Sequence, residues 1–299
     1  MLTGAWPRWS DQSRGLALGV LGVLIFAITI PMTRLAGGTQ DQPQLDPAFV
    51  AMGRAALAGL LSMAYLRLTG ATLPTRRQLQ SLGLTALGIV FGWPIFLGLA
   101  MRQVDAVHAA VISGVQPLAT AAVAALWLRQ RPSAGFWTCS ALGVVLVLGF
   151  AWSRGANGFQ AADGLLLLAI ISSSSGYVSG AQLTLAMSAE KVICWVLVLS
   201  LPLTAPLALL TWPQQPVALA AWGGFAYVSL FSMWLGFFAW YRALAIGGTV
   251  RVSQVQLLQP FFSMLVAVPL LGEKLDALAV AFVLAVIATV WIGKRMPIN

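Results

Sequence analysis

The sequence predicts an all-α integral membrane protein: ten transmembrane helices arranged as two inverted-topology five-helix repeats. Three observations carry this. Of 299 residues, 59% are hydrophobic and 8% charged, where a soluble domain has about 25% charged. The apolar residues gather into ten runs of membrane-spanning length. A pair of motifs then recurs in the second half of the chain.

A spanning helix needs about 20 mostly apolar residues. The runs fall at Arg14–Leu35, Pro47–Leu66, Leu79–Met101, Val104–Leu128, Ser133–Trp152, Ala161–Leu183, Lys191–Trp212, Pro216–Tyr241, Val250–Leu271 and Leu275–Ile292. The first follows Arg8 and Arg14 as a signal peptide would, but its length predicts a retained helix. The sixth contains the polar stretch "SSSSGYVSG", Ser172–Gly180. That stretch suits either a small-residue helix contact or a polar wall that includes Tyr177.

Charge sets the expected orientation. With the N-terminus in the cytoplasm, 12 Lys and Arg fall at cytoplasmic ends, four fall outside (Arg34, Arg102, Arg154 and Lys274), and Arg54 stays within a span. Basic residues favour cytoplasmic loops, so both termini are expected there, in a bacterial-type inner membrane. The net charge of +9 is scattered over span ends, so it reads as a topology signal; the expected contact is membrane lipid and not nucleic acid. Seven tryptophans, Trp240 among them, lie near predicted ends and suit interface anchors. Cys139 and Cys194 sit inside apolar runs as small core residues.

The repeat appears when "FGWPIFLGLAMR" (Phe91–Arg102) is laid over "FSMWLGFFAWYR" (Phe231–Arg242), an offset of 140. Downstream, "SGVQPLATAAVAALWLRQRP" (Ser113–Pro132) matches "QLLQPFFSMLVAVPLLGEKL" (Gln256–Leu275), an offset of 143 that sets Gln116–Pro117 over Gln259–Pro260. The third and fourth spans thus correspond to the eighth and ninth. Residues 1–156 form one five-helix repeat and 157–299 a second, joined near "SRGANGFQ". Five is odd, so the second repeat enters the membrane from the opposite side. Such repeats are typical of secondary transporters that bind substrate near the midplane.

The stretch "WYRALAIGGTVRVSQVQLLQPFFSMLVAVPLLGEKL" resembles the drug/metabolite transporter superfamily in its EamA-type ten-helix branch. The shared pattern is an aromatic–x–x–Ala–Leu start, a small-residue turn, an apolar–Pro step and a closing Gly-Glu-basic-Leu. "RAALAGLLSMAYL", Arg54–Leu66, resembles that branch's second helix. Within the branch the chain is most similar to aromatic amino acid exporters. The resemblance implies a central cavity and export of amino acids or other small metabolites. The chain departs from the pattern at Gln116 and Gln259, where many members carry Glu before Pro. It also has "LRQRP" where Gly-Glu is usual, and "FAITIP" where a Trp-Gly pair is common.

The polar residues inside spans are the candidate binding groups. Gln116, Gln259 and Gln256 suit a neutral or zwitterionic head group; Gln256 and Gln259 are three apart and share a helix face. Trp93, Trp234, Tyr177 and Tyr241 can wall the cavity against rings and apolar side chains. Arg54 either snorkels or pairs with backbone to fix its helix, or offers a counter-charge to a substrate carboxylate. His108 is either a hydrogen-bonded interface histidine, or a substrate or proton site. Pro31, Pro94, Pro117 and Pro260 are expected kinks, because proline frees a carbonyl.

All eight carboxylates lie in loops or at span ends. That argues against exchange of protons for cationic drugs, which needs an intramembrane acid. Facilitated export without proton coupling is the simplest expectation. One span-edge histidine with no mid-span acid does not make a catalytic set, so no enzyme is expected. Neither a cofactor nor a metal is expected, and no phosphate-binding loop for ATP appears.

Overall fold

The structure, a computed structural model, describes residues 11–127, 133–154, 160–247 and 254–293. Ten helices follow one another through them, seven of them long and apolar enough to cross a membrane and three with shorter apolar stretches. They are α1 (Asp11–Gly37), α2 (Pro47–Leu68), α3 (Arg76–Ala100), α4 (Ala106–Trp127, opened at 114–115), α5 (Ala134–Arg154), α6 (Ala161–Leu183), α7 (Ala189–Leu210), α8 (Leu219–Gly247), α9 (Gln254–Leu271) and α10 (Ala277–Gly293). The expected division at 156/157 and the basic residues Arg8, Arg129, Arg131, Arg251, Lys294 and Arg295 lie outside the described residues.

Local chemistry fixes the starts. Asp46 accepts from Ala48 N at 2.8 Å with Pro47 in the first turn of α2. Thr75 and Gln78 form a reciprocal capping box on α3, which satisfies two end donors at once. Once the spans have formed, their outer faces carry Leu60, Val145, Leu203 and Leu284, all solvent-exposed. In water such a belt would be costly; in lipid it is the expected surface.

The order of packing carries the symmetry. α1 packs chiefly against α8 and α9, and α6 against α3 and α4. α2 packs against α7, and α5 against α10. Advancing each helix by five maps this pattern onto itself. Two close crossings hold the exchanged helices. A Cβ on Gly88 of α3 would meet Ser172 O of α6 at 2.3 Å, and one on Gly224 of α8 would meet Met32 O of α1 at 2.7 Å. Only glycine lets backbones approach so closely in both places.

Both middle spans of each repeat depart from the α-helix at equivalent points. α3 widens into a π-helix at Leu87–Gly92, immediately before Trp93–Pro94, and α8 does so at Val228–Leu235. α4 opens at Gly114 and restarts at Gln116–Pro117; α9 runs as a 3₁₀ turn, Gln254–Leu258, and restarts at Gln259–Pro260. Pro94, Pro117 and Pro260 each stand second in the α-helical segment that follows the irregular turn. Pro31 lies inside an unbroken α1. Trp240 is only 2% exposed and meets Gly22 and Phe26 of α1. It is a helix-packing residue, not the interface anchor its position near a span end suggests.

Candidate functional site

The irregular turns meet at the middle of the bundle. A narrow space is lined by Ile30, Ser113, Gln116, Pro117, Gln256, Gln259 and Pro260. Both Gln-Pro breaks therefore face one space, one from each half. Gln116 Nε2 donates to Ser173 Oγ of α6 at 3.1 Å. Among the described residues Ser113 Oγ and Gln256 Nε2 are buried without a hydrogen-bond partner. Such groups each cost about 1–3 kcal/mol until a partner arrives.

Gln259 also borders a second space, with Thr29, Arg54, Trp93, Ser173, Tyr177 and Ser232. Phe26, Ile89, Met233 and Phe237 complete its walls. The walls stand close, leaving room for roughly one or two waters. The "SSSSGYVSG" stretch does both things its composition allows: Ser172 meets the glycines of α3, while Ser173 and Tyr177 face the cavity.

Arg54 is the centre of this wall. It is 2% exposed and donates through one terminal nitrogen to Ser232 Oγ at 2.8 Å. Thr29 Oγ1 donates to the same oxygen at 2.8 Å. Arg54 Nε has no partner, and no carboxylate lies within ion-pair distance among the described residues. A buried charge without a counter-ion is expensive. Arg54 thus presents an uncompensated donor to this space, which Gln259 and aromatic rings also border.

Three candidate residues stand elsewhere. Tyr241 is fully buried against Gly180 and Phe237, and Trp234 packs edge-on to Phe238 at 5.2 Å. His108 sits near the end of α4 that leads to α3, and its Nε2 lies 2.6 Å from Asp163 Oδ1. Asp163 stands at a span end, in the first turn of α6, yet it is 1% exposed. Its burial and partner were invisible in the sequence. Thr29 and Ser232 were also missed; their only sequence signal is a hydroxyl within an apolar run. Among the described residues no cluster of His, Cys, Asp or Glu could hold a metal ion.

The loops at 38–46, 101–105, 211–218 and 272–276 share one face of the bundle, here termed the upper face. Glu273 of the α9–α10 loop accepts from Ala106 N and Val107 N, both at 2.8 Å. It thereby caps α4 from the other half, while the N-cap residue Asp105 makes no cap bond of its own and pairs with Arg34 at 3.5 Å. Arg34 also donates to Met101 O and Val104 O. Burial pushes Glu273 above the ordinary carboxylate value; the two backbone N–H groups pull it back, Asp105 raises it further and Arg34 lowers it. On the lower face Arg242 and Glu190 pair at 3.3 Å, the arginine largely exposed.

Comparison with known proteins places this architecture. The model of the EamA-like transporter family matches residues 13–152 and again 160–293. The chain is 41% identical over 288 residues to "Uncharacterized transporter YdeK" of Bacillus subtilis (strain 168), covering 96% of this chain and 99% of that one. A solved crystal structure described only as "Crystal structure of protein" superposes with a TM-score of 0.64 at 16% identity, over 94% of this chain and 99% of the other. At that identity it speaks for the fold alone.

Proposed function

The chain belongs to the EamA-like transporter family, and from that premise we propose that it exports neutral amino acids from the cytoplasm by alternating access, with aromatic and other hydrophobic ones among its substrates. The carrying observation is Arg54, a buried guanidinium on a cavity between the two halves, with no counter-ion among the described residues. A substrate carboxylate satisfies it. The oxygens of Gln116, Gln256 and Gln259 suit the ammonium group, and Trp93, Tyr177, Phe26 and Phe237 suit a ring or aliphatic side chain. The space is narrow because the two halves are closed on it; alternating access requires that they part on one side at a time.

In this reading the upper face is extracellular, both termini are cytoplasmic, and the membrane is an inner membrane of bacterial type. Downhill movement along the substrate's own gradient is the minimal driving force. The fixed positive charge of Arg54 opposes cationic drugs. A second reading has its own support: no acid on the cavity walls answers the substrate ammonium. Small organic anions lacking an amine therefore fit as well.

The test is uptake into liposomes by purified protein, with a panel of labelled neutral amino acids and simple carboxylates. Saturable uptake of neutral amino acids, competed by each other and weakly by carboxylates, is expected. Competition by carboxylates alone shifts the reading to organic anions. Absence of transport of every neutral amino acid, with or without a pH gradient, sinks the amino acid reading.

A further inference from the structure

We propose that the space between the two Gln-Pro breaks is a binding site for a small monovalent anion of the halide class. It adjoins the space that Arg54 borders, and Gln259 lines both. The site is argued from its own donors. Only its use in transport, given below, rests on the amino acid reading.

Ser113 and Gln256 occupy equivalent places in the two halves, each four residues before the proline of its break. Both line the space, at 6% and 4% exposure. Among the described residues Ser113 Oγ and Gln256 Nε2 have no hydrogen-bond partner. An amide nitrogen only donates, and a hydroxyl has one proton to give. Each half thus brings one idle donor to the same space. The backbone adds to them. Gln116–Pro117 opens a 12-residue α-helical segment, Gln259–Pro260 opens one of 13, and all four residues line the space. A helix start carries partial positive charge and N–H groups without helical partners. Broken membrane helices use such ends to face anions. Proline has no N–H, so at both starts a side-chain donor fills part of the shell.

Charge and size choose the occupant. Among the described residues no Asp or Glu lines either space. A cation would meet two positive helix ends and the neighbouring Arg54 with no carboxylate to offset them, which is costly in a buried setting. A water would satisfy the donors but leave Arg54 without a counter-ion. The space takes a body of about the size of one water. A halide is only a little larger, whereas phosphate and sulfate are much too large. With the ion in place the cavity carries both signs: Arg54 for a substrate carboxylate and the halide for its ammonium. This is the negative group that the protein walls lack for a neutral amino acid.

The test uses the full chain in lipid nanodiscs at constant ionic strength, with gluconate as the replaced anion. Melting temperature should rise saturably with chloride, by about 2–4 °C at about ten times the half-saturating concentration, as for a ligand at one site. Bromide should act in the same way, and crystals grown in bromide should show its anomalous signal between Ser113 and Gln256. Gln256→Leu and Ser113→Ala should each raise the half-saturating concentration about tenfold, the usual cost of losing one bond to a charged group. Should Gln256→Leu not fold, Ser113→Ala and the bromide signal in the natural chain carry the test. Melting that ignores chloride and bromide, with no bromide signal, overturns the proposal. So does a chloride response unchanged in both variants. Acetate that stabilises as well as chloride and expels bromide overturns the halide and gives the site to a carboxylate. None of these readouts uses a transported solute, so a failed substrate panel leaves them standing. Amino acid uptake that is equal in chloride and in gluconate overturns the role in transport alone.

Discussion

The two halves share their backbone and differ in their chemistry. Each has a π-widened third span, a fourth span broken at Gln-Pro, and a first helix handed across to the other half. The charged groups follow no such rule. α2 carries Arg54 into the cavity, whereas its mate α7 has no charge between Val192 and Leu210. The α9–α10 loop supplies Glu273 to cap α4, whereas "LRQRP" stands at the corresponding place in the first half. Duplicated scaffold thus gives a centred cavity with two like walls. Single residues present in one half only give the cavity wall a charge, Arg54, and give α4 a cap from the other half, Glu273.

Substitutions can break this contrast in graded steps. Arg54→Leu removes the one cavity charge that has no mate, and transport should fall about 100-fold, since losing a partner of a buried charge costs 2–5 kcal/mol. Substrate counterflow measures this, with melting temperature confirming a folded protein. Gln116→Leu and Gln259→Leu test the shared part. Each should lower transport about tenfold, as the loss of one hydrogen bond to a charged group does. Equal effects support a common wall, and full activity in both variants removes the amides from the site.

Glu273→Ala should cost about 1 kcal/mol, the usual worth of a cap, read by thermal melting in nanodiscs. It should also raise hydrogen exchange in residues 101–105 while leaving the lower face unchanged. The glutamate brings a pH dependence with a definite sign. Its folded value lies above the ordinary one because of burial, so ionising it costs more in the folded protein. Its contribution is greatest in acid and declines as pH rises from the ordinary glutamate value towards the raised one. Glu273→Gln should remove that decline from the melting curve. Smallest is Arg242→Gln on the lower face, where an exposed pair is worth no more than about 0.5 kcal/mol; a larger loss of stability would erase the contrast between the faces.

The spans were legible because the membrane demands long apolar runs, and every predicted run corresponds to a helix over the described residues. The paired Gln-Pro breaks were legible because proline and glutamine are conspicuous in such runs. The rest depends on direction and distance. Nothing in the α8 sequence marks its π-turn, which contains no proline. Tyr241 and Trp234 resemble wall residues in one dimension, but the helix rotation points them at Gly180 and Phe238. Arg54 could be read as snorkelling until the fold buried it against Ser232. Asp163 looked like an ordinary span-end acid until the fold set it against His108.

The exchanged first helices have a consequence for the chain's ancestry and assembly. Had the halves been separate polypeptides, α1 and α6 would be arms swapped between the two subunits of an antiparallel dimer. Cutting the chain between α5 and α6 should then leave two fragments that are each incomplete, yet able to recognise one another in the bilayer. The covalent join supplies equal stoichiometry and opposite insertion. The grip between the pieces belongs to the arms.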